Sequence, residues 1–509
     1  MVDLLDVIAQ NAATRPTKTA FIFEEERLTF REFAEAVART AAGFRDQGIR
    51  PGDHVVIACY HGNAVVVTYY ALLWLGAVPV LASASLLDDL PAIVRATDAR
   101  ALVYGPQARP LLAGGPPPGV RLLVAADGPD GRGVPLAALA QRAPIPAVPR
   151  HPDQPSGIVF SGGTTGRPKP ILRTIGSDLW DGILKLLAYR LGLHDVYLYP
   201  SPLNLTALLG PTRQTLLAGA TYVVIDGFVP ERMAAICARE RVSQLTLLPG
   251  QWAELLARPE LDRADLSSLR QLGLSAGHAP AALRQQLQER FPSLPLLQVY
   301  GTSETGPIAA VQDPDPFAGE PHYVGRPLAA VQVRIEAEGG TVLSPGEVGE
   351  IVVRTPAAAA GYYRQPEASA RTFREGWVAT GDLGWHQEDG RLSLIGRASE
   401  VFILAGQRVY PSVVQEVLAA RNGVQEAVCL GLPRAEPRQL VVFVVPRRGA
   451  LLSIEELRQA VARRLVGVPA DRMSVVVVPT LPRTSAGKVD ARALEKQWAA
   501  RCSVDMIAE

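Results

Sequence analysis

Ser161-Gly162-Gly163-Thr164-Thr165-Gly166-Arg167-Pro168-Lys169-Pro170 is the stretch on which the reading of this 509-residue chain turns. It follows residues 158–160, Ile-Val-Phe, a short apolar run that reads as a strand. Three glycines let the backbone turn tightly and offer its N–H groups to phosphate oxygens, and the hydroxyls of Ser161, Thr164 and Thr165 add further donors. A Walker A loop is excluded on mechanism. That motif needs Lys then Ser or Thr entering a helix, whereas Pro168 and Pro170 flank Lys169 and disfavour a helical start. Taken alone, the segment reads equally well as a Gly/Ser surface loop.

On both sides of it the chain alternates short apolar runs with helical patterns. Residues 54–59 read as a strand, 64–75 as a buried helix and 78–81 as the next strand. Further on come strand 221–225, helix 230–241, strand 244–248, strand 271–274, helix 280–290 and strand 296–299. Near the start, Thr29-Phe30-Arg31-Glu32 is a capping-box pattern opening a helix with Phe33, Val37 and Phe44 on one side. This layering predicts an α/β fold with mainly parallel strands. From 331 to 395 the pattern becomes β-rich, and after Arg397 a small α+β unit follows. In that unit the spacing predicts helices over 411–420, 454–465 and 491–498, with strands near 428 and over 441–445 and 475–478. Gly- and Pro-rich stretches at 114–119 and 143–155 read as surface connections. The expected domains are therefore 1–397, a large N-terminal part of layered α/β subdomains plus the β-rich section, and 398–509, a small mobile C-terminal lid.

Composition narrows the function. With 51 basic against 50 acidic residues the formal charge is +1, which argues against a dedicated nucleic-acid or anionic-membrane binder. Four cysteines, Cys59, Cys237, Cys429 and Cys502, show neither a disulfide framework nor metal-type spacing. The apolar stretch 64–75 is too short to cross a bilayer, and the N-terminus has no basic region followed by an apolar run. A cytoplasmic protein without membrane insertion is expected. Five of the 51 basic residues are lysines, so each invites the question of why Arg would not serve. Lys18, Lys185 and Lys496 read as ordinary solvated positions.

With the phosphate loop in place, the sequence resembles the adenylate-forming superfamily of acyl-CoA synthetases, adenylation domains and luciferase-like AMP-binding enzymes. The shared Ser-Gly-Gly-Thr-Thr-Gly-x-Pro-Lys run carries the resemblance first, and further motifs follow in order along nearly the whole chain. Tyr300-Gly301-Thr302-Ser303-Glu304 looks like the family's Tyr-Gly-x-Thr-Glu motif, with Ser303 in place of Thr. The resemblance implies a ring at Tyr300 for stacking on adenine, hydroxyls at Thr302 and Ser303 for phosphate, and a carboxylate at Glu304 for Mg²⁺ bridging ATP phosphates. Leu274 to Pro280 would form part of the adenine and acyl pocket through Ala276 and Gly277; alone, it is a strand-to-helix turn with His278 as a surface histidine. Thr380-Gly381-Asp382 resembles the motif whose Asp accepts both ribose hydroxyls, and Arg397 matches an Arg that contacts ribose or phosphate. Pro482 to Lys488 resembles the final Pro-x-Thr-x-x-Gly-Lys motif, whose Lys on the lid reaches the substrate carboxylate and the α-phosphate. The implied catalytic set is Lys488, Thr165, Glu304 and Arg397.

The activity so implied is ATP-dependent conversion of a small-molecule carboxylic acid to an acyl-adenylate, followed by transfer to coenzyme A or to phosphopantetheine on an acyl carrier protein. Alternatives are an adenylating ligase that forms an amide or ester, and a silent relative acting as a binding subunit. The family's hinge carries Asp or Lys where this chain has Ser399. Glu400 keeps an acid, while Ile403, Val413 and Gln415 depart from the frequent Lys and Glu, and Gly406 is retained. By family position Asn204, Leu205, Leu248, Trp252, Ala276, Gly277 and Thr302 are pocket walls, and each could equally be core. With no acid at Asn204 or Leu205 an α-amino acid is not expected, and the substrate reads as an uncharged or modestly polar acid, aliphatic or aromatic. Homodimers are common in such a family, and no sequence feature marks an interface.

Overall fold

Short runs of buried β-branched and leucine residues alternate with helices through the first 300 residues, and the strands they form join two large sheets. The computed structural model describes residues 2–60, 62–160, 168–200, 206–225, 227–275, 281–312, 320, 322–404, 407–432, 439–447, 449–465, 472–483 and 489–505. Among these, one sheet has eight strands and the other fourteen.

The smaller sheet has a parallel centre made by His54–Ala58, Val78–Leu81, Ala101–Tyr104 and Leu122–Ala125. At one side Pro155–Phe160 adds in parallel to Val78–Leu81, and Pro170–Thr174 then pairs back antiparallel on it, Phe160 opposite Pro170. The Gly-rich stretch thus links two strands of a hairpin, and a strand, not a helix, follows Lys169. In the larger sheet Thr19–Phe23, Thr221–Val224, Val196–Leu198, Gln244–Leu247, Gln271–Leu274 and Leu296–Thr302 are parallel neighbours. Through the first 300 residues the expected mixture of helices and mainly parallel strands is what forms. The β-rich section is not separate, however. Gly306–Gln312 folds back on Leu296–Thr302, and Tyr323–Pro327, Leu392–Arg397, Trp377–His386, Gly349–Arg354 and Gln332–Glu336 continue the same sheet antiparallel.

One core joins the two sheets. Phe21 and Tyr222 of the larger and Val55, Ile57 and Val103 of the smaller pack with Phe33, Val37, Tyr70 and Leu72 from the helices Phe30–Asp46 and Gly62–Leu75. Thr29 and Glu32 form the expected capping box, the Thr29 N–H donating to Glu32 Oε2 at 2.8 Å. Helix Pro230–Arg239 ends sooner than its sequence pattern because Arg241 adopts φ of 49°, a left-handed conformation that no helix continues.

The small C-terminal domain has its own core, in which Val414, Leu418, Val442, Leu457 and Val461 pack between a three-stranded sheet and the helices Pro411–Ala419 and Ile454–Arg464. It meets the large part through His322 Nε2, 3.4 Å from Glu416 Oε2, and through Arg483, which packs over Gly250.

A buried ion cluster sits where the two sheets meet. Asp178 and Asp181 lie on helix Ile175–Tyr189, Arg173 on the strand before it and Arg213 on helix Thr206–Ala218, each at most 1% exposed. Arg173 Nε lies 2.9 Å from Asp178 Oδ1, and Arg213 spans both carboxylates at 2.6 and 2.9 Å. Lys185 Nζ lies 2.8 Å from Asp181 Oδ1, so this lysine is an inward ion-pair partner and not the solvated position its sequence suggested. Lys18 is likewise half-buried, and burial together with Arg15 lowers its ammonium to about 8. Lys496 is exposed as expected.

Burial alone would raise the Asp181 carboxyl, but Lys185, Arg213 and Arg173 hold it well below the usual range. Its contribution to stability is therefore complete above the unfolded value of about 4 and is lost as pH falls through the lower folded value. Asp181→Asn should destabilise the large part by about 3–5 kcal/mol at pH 7. The difference from wild type should narrow when melting is repeated at pH 3, and an unchanged difference would show that the charge is not its source.

Candidate active site

The site lies where the larger sheet changes from parallel to antiparallel. The sequence suggests that the strand stops at 299, yet Leu296–Thr302 continues through Tyr300 and Thr302, held by its pairing with Gly306–Gln312. A register shift falls between Tyr300 and Gly301, and a Cβ on Gly301 would collide with the Gly306 carbonyl, so only glycine allows the two backbones this close. The turn between them is closed reciprocally: the Thr302 N–H donates to Thr305 Oγ1 and the Thr305 N–H to Thr302 Oγ1, both at 3.2 Å. Ser303 and Glu304 are thereby presented at the turn, half-buried.

Residues of two other motifs converge on the carboxylate of a third. Asp382, 4% exposed on strand Trp377–His386, accepts from the Tyr300 hydroxyl at 2.7 Å through Oδ2, and its Oδ1 lies 2.9 Å from Arg397 Nε. Arg397 Nη1 also donates to the Thr380 carbonyl at 2.9 Å, and Asp382 and Arg397 are direct partners across the sheet. Gly381 has φ of 72°, which lets its N–H reach Glu350 Oε1 at 3.0 Å. Burial and the adjacent Asp382 push the Tyr300 phenol well above its ordinary range, so it is a neutral donor. Tyr300 is thus largely buried and serves Asp382 through its hydroxyl, a role its ring alone did not suggest.

A second group forms around Glu304. Its Oε1 accepts from the Tyr362 hydroxyl at 3.0 Å, and its carbonyl accepts from the Ala359 N–H at 2.8 Å. Lys169, exposed at the end of the Gly-rich segment, places its ammonium over the Tyr362 ring, 4.7 Å from the centroid. The two sheets meet here.

No group of three or more His, Cys, Asp or Glu side chains suited to a metal occurs among the described residues. A lone carboxylate such as Glu304 fits Mg²⁺, which takes one or two carboxylates and completes its octahedron from phosphates and water.

Of the expected pocket walls, Trp252 is fully buried and donates from Nε1 to the Gly273 carbonyl at 2.8 Å, so it is core. Leu248 is buried at the start of helix Pro249–Leu256, and Thr302 is half-buried beside the turn. Ser399 lies in a single 3-10 turn, Ala398–Glu400, directly after Arg397. Ser161, Gly162, Gly163, Thr164, Thr165, Gly166, Asn204, Leu205, Ala276, Gly277 and Lys488 fall outside the described residues, as do His278 and Gly406.

The sequence reading missed Tyr362 and Tyr199, and named Ser275 only as part of the Leu274 to Pro280 segment. Tyr362 had a signal available, a Gly-Tyr pair directly after the run Ala357–Ala360. Tyr199 and Ser275 had none beyond position. Their hydroxyls lie 3.2 Å apart, just past the ends of Val196–Leu198 and Gln271–Leu274, the two strands that flank Gln244–Leu247.

The family of AMP-binding enzymes matches residues 8–363, and the AMP-binding enzyme C-terminal domain matches residues 414–488. The chain is 31% identical over 502 residues to an indoleacetate–CoA ligase of Aromatoleum aromaticum, covering 96% of each. It is 32% identical over 521 residues to a salicyl-AMP ligase / salicyl-S-ArCP synthetase of Mycobacterium tuberculosis, covering 97% of this chain and 90% of that one. The amide bond synthetase McbA from Marinactinospora thermotolerans superposes with a TM-score of 0.86 at 28% identity, covering 97% of this chain and 100% of that one.

Tyr300→Phe would leave the buried Asp382 carboxylate one donor short. It should lower stability by about 1.5–3 kcal/mol, read from thermal melting, whereas Ser303→Ala on the same turn should change it by about 0.5 kcal/mol or less.

Proposed function

This chain belongs to the AMP-binding enzyme family, and we propose that it activates an aromatic or arylalkyl carboxylic acid as the acyl-adenylate, releasing pyrophosphate, and transfers the acyl group to a thiol with release of AMP. The observation that carries this reading is the Asp382 carboxylate shared between Tyr300 and Arg397, which unites three separate motifs in one site. The aromatic class is supported by relatives named for indoleacetate and salicylate. Coenzyme A or a carrier-protein pantetheine is the thiol, and both kinds of acceptor occur in those relatives' names.

A carboxylate is a poor acyl donor because oxide would have to leave. Its attack on the α-phosphate of ATP turns that oxygen into part of a good leaving group, AMP. Such a transfer needs little covalent help, and positioning and charge stabilisation dominate. In this reading Ser161, Gly162, Gly163, Thr164, Thr165, Gly166 and Lys169 hold the triphosphate, with Thr302 and Ser303 adding hydroxyls. Tyr300, Gly301, Ala276 and Gly277 border adenine, and Asp382 and Arg397 hold the ribose. Glu304 would hold Mg²⁺, which supplies charge neutralisation across the phosphates when bound. Lys488 brings a compact ammonium to the acid and the α-phosphate, where negative charge gathers during displacement.

The domain boundary falls between Arg397 and Ala398. A lid turning about Ser399 would withdraw Lys488 and open a path for the thiol. Arg483 packed over Gly250 supports a lid seated for the first half-reaction, because Arg483 belongs to the same motif as Lys488.

An amine acceptor is a second reading, favoured by the likeness to an amide bond synthetase. Acid-dependent pyrophosphate release over a panel of aromatic, arylalkyl and aliphatic acids tests the first step, and no release with any acid would overturn it. Adding coenzyme A, carrier protein or amines, with mass analysis of the product, assigns the acceptor. Lys488→Ala should lower pyrophosphate release by about 100-fold or more and leave ATP affinity within about threefold of wild type.

A further inference from the structure

We propose that Tyr362 is a positioning residue that holds Lys169 and Glu304 in one register, so that the Lys169 ammonium and the Mg²⁺-holding carboxylate meet ATP as a single unit. This rests on the function proposed above. Lys169 directly precedes strand Pro170–Thr174 of the eight-stranded sheet and Glu304 lies in a turn of the fourteen-stranded one, so nothing in either sheet's own ladder fixes their separation.

Tyr362 is bound to both sides. Its backbone lies on the edge strand Gly361–Tyr362, which pairs antiparallel with Pro170–Thr174, Tyr362 opposite Ile171. The Tyr363 N–H donates to the Pro170 carbonyl at 2.7 Å and the Ala360 N–H to the Leu172 carbonyl at 2.9 Å. This segment is therefore fastened to the residues directly after Lys169. The same segment reaches the other sheet through the Ala359 N–H on the Glu304 carbonyl and the Tyr362 hydroxyl on Glu304 Oε1.

The ring itself is held in one orientation. Tyr362 is 7% exposed, its N–H donates to Ser369 Oγ at 2.8 Å, and its ring meets Phe373 edge-on with centroids 5.5 Å apart. A phenol so fixed offers its π face to an ammonium and its hydroxyl to a carboxylate. Phenylalanine would keep the first contact and lose the second, and leucine would lose both.

The test is equilibrium binding of ATP to the full chain by calorimetry, with and without Mg²⁺ and with no acid present. Tyr362→Phe should bind Mg²⁺-free ATP within about twofold of wild type, which also establishes that the site is folded, and should need about tenfold more Mg²⁺ for the same enhancement. Tyr362→Leu should in addition weaken Mg²⁺-free binding about threefold. Combining Tyr362→Phe with Glu304→Gln should add nothing to Glu304→Gln alone, because the hydroxyl acts through that carboxylate. A Tyr362→Phe chain with a wild-type Mg²⁺ requirement, or effects that add in the double variant, would overturn the proposal while leaving the proposed function standing. A wild-type chain that binds no ATP would overturn both.

Discussion

Burying Arg173, Asp178, Asp181 and Arg213 together, with Lys185 at the edge of the cluster, is the constraint on which the rest of this structure depends. Each ion taken out of water costs several kcal/mol, and that cost is offset only if every charge finds a partner with good geometry. Here Asp178 meets Arg173 and Arg213, and also accepts from Ser156 at 2.6 Å and Tyr69 at 3.1 Å. Those partners come from two strands and two helices besides the helix of Asp178 itself, so the geometry can be satisfied only when all five elements are in place. The cluster thereby fixes how the helical layer sits against both sheets, a choice that apolar packing alone leaves looser.

Its effect reaches the site through two contacts. Arg173 Nη1 donates to the Ala357 carbonyl at 2.9 Å, anchoring the loop whose next residues hold Glu304 and carry Tyr362. Asp181 lies beside Gly306, where a Cβ would come within 3.0 Å of its Oδ1, so the closed turn around Glu304 rests directly on the ion cluster. The half-buried turn that carries Ser303 and Glu304 thus stands on a buried polar base.

Much of the fold was legible because period and length carry it. The capping box at Thr29 and Glu32, the buried helix Gly62–Leu75 and the strand Gln271–Leu274 form as their patterns require. Where the reading stopped short, long-range partners were the cause. Tyr300 to Thr302 stays extended because Gly306–Gln312 returns to pair with it, and the β-rich section joins the larger sheet through pairings such as Tyr323 with Ser393 that no local pattern encodes. Lys185 read as solvated because a lysine on a helix ordinarily is, and only Asp181 one turn earlier, itself buried by Arg213, draws it inward. The same holds for Tyr362, whose neighbours in sequence give no hint of Lys169 or Glu304.

The sequence by itself determined the residue chemistry: a Gly- and hydroxyl-rich loop ending in Lys169, a Tyr-Gly-Thr-Ser-Glu run ending in Glu304, a Gly-Asp pair at Asp382, and the α/β alternation that carries them. Each of those is local, since a short motif needs only its own residues to turn, to donate or to accept. Tertiary structure alone decided that Tyr300 and Arg397 would share Asp382, that Tyr362 would stand between Lys169 and Glu304, and that Trp252 would be core. Those outcomes depend on distances between elements far apart in the chain, and such distances are set by packing and by the buried charges, not by any stretch of sequence read alone.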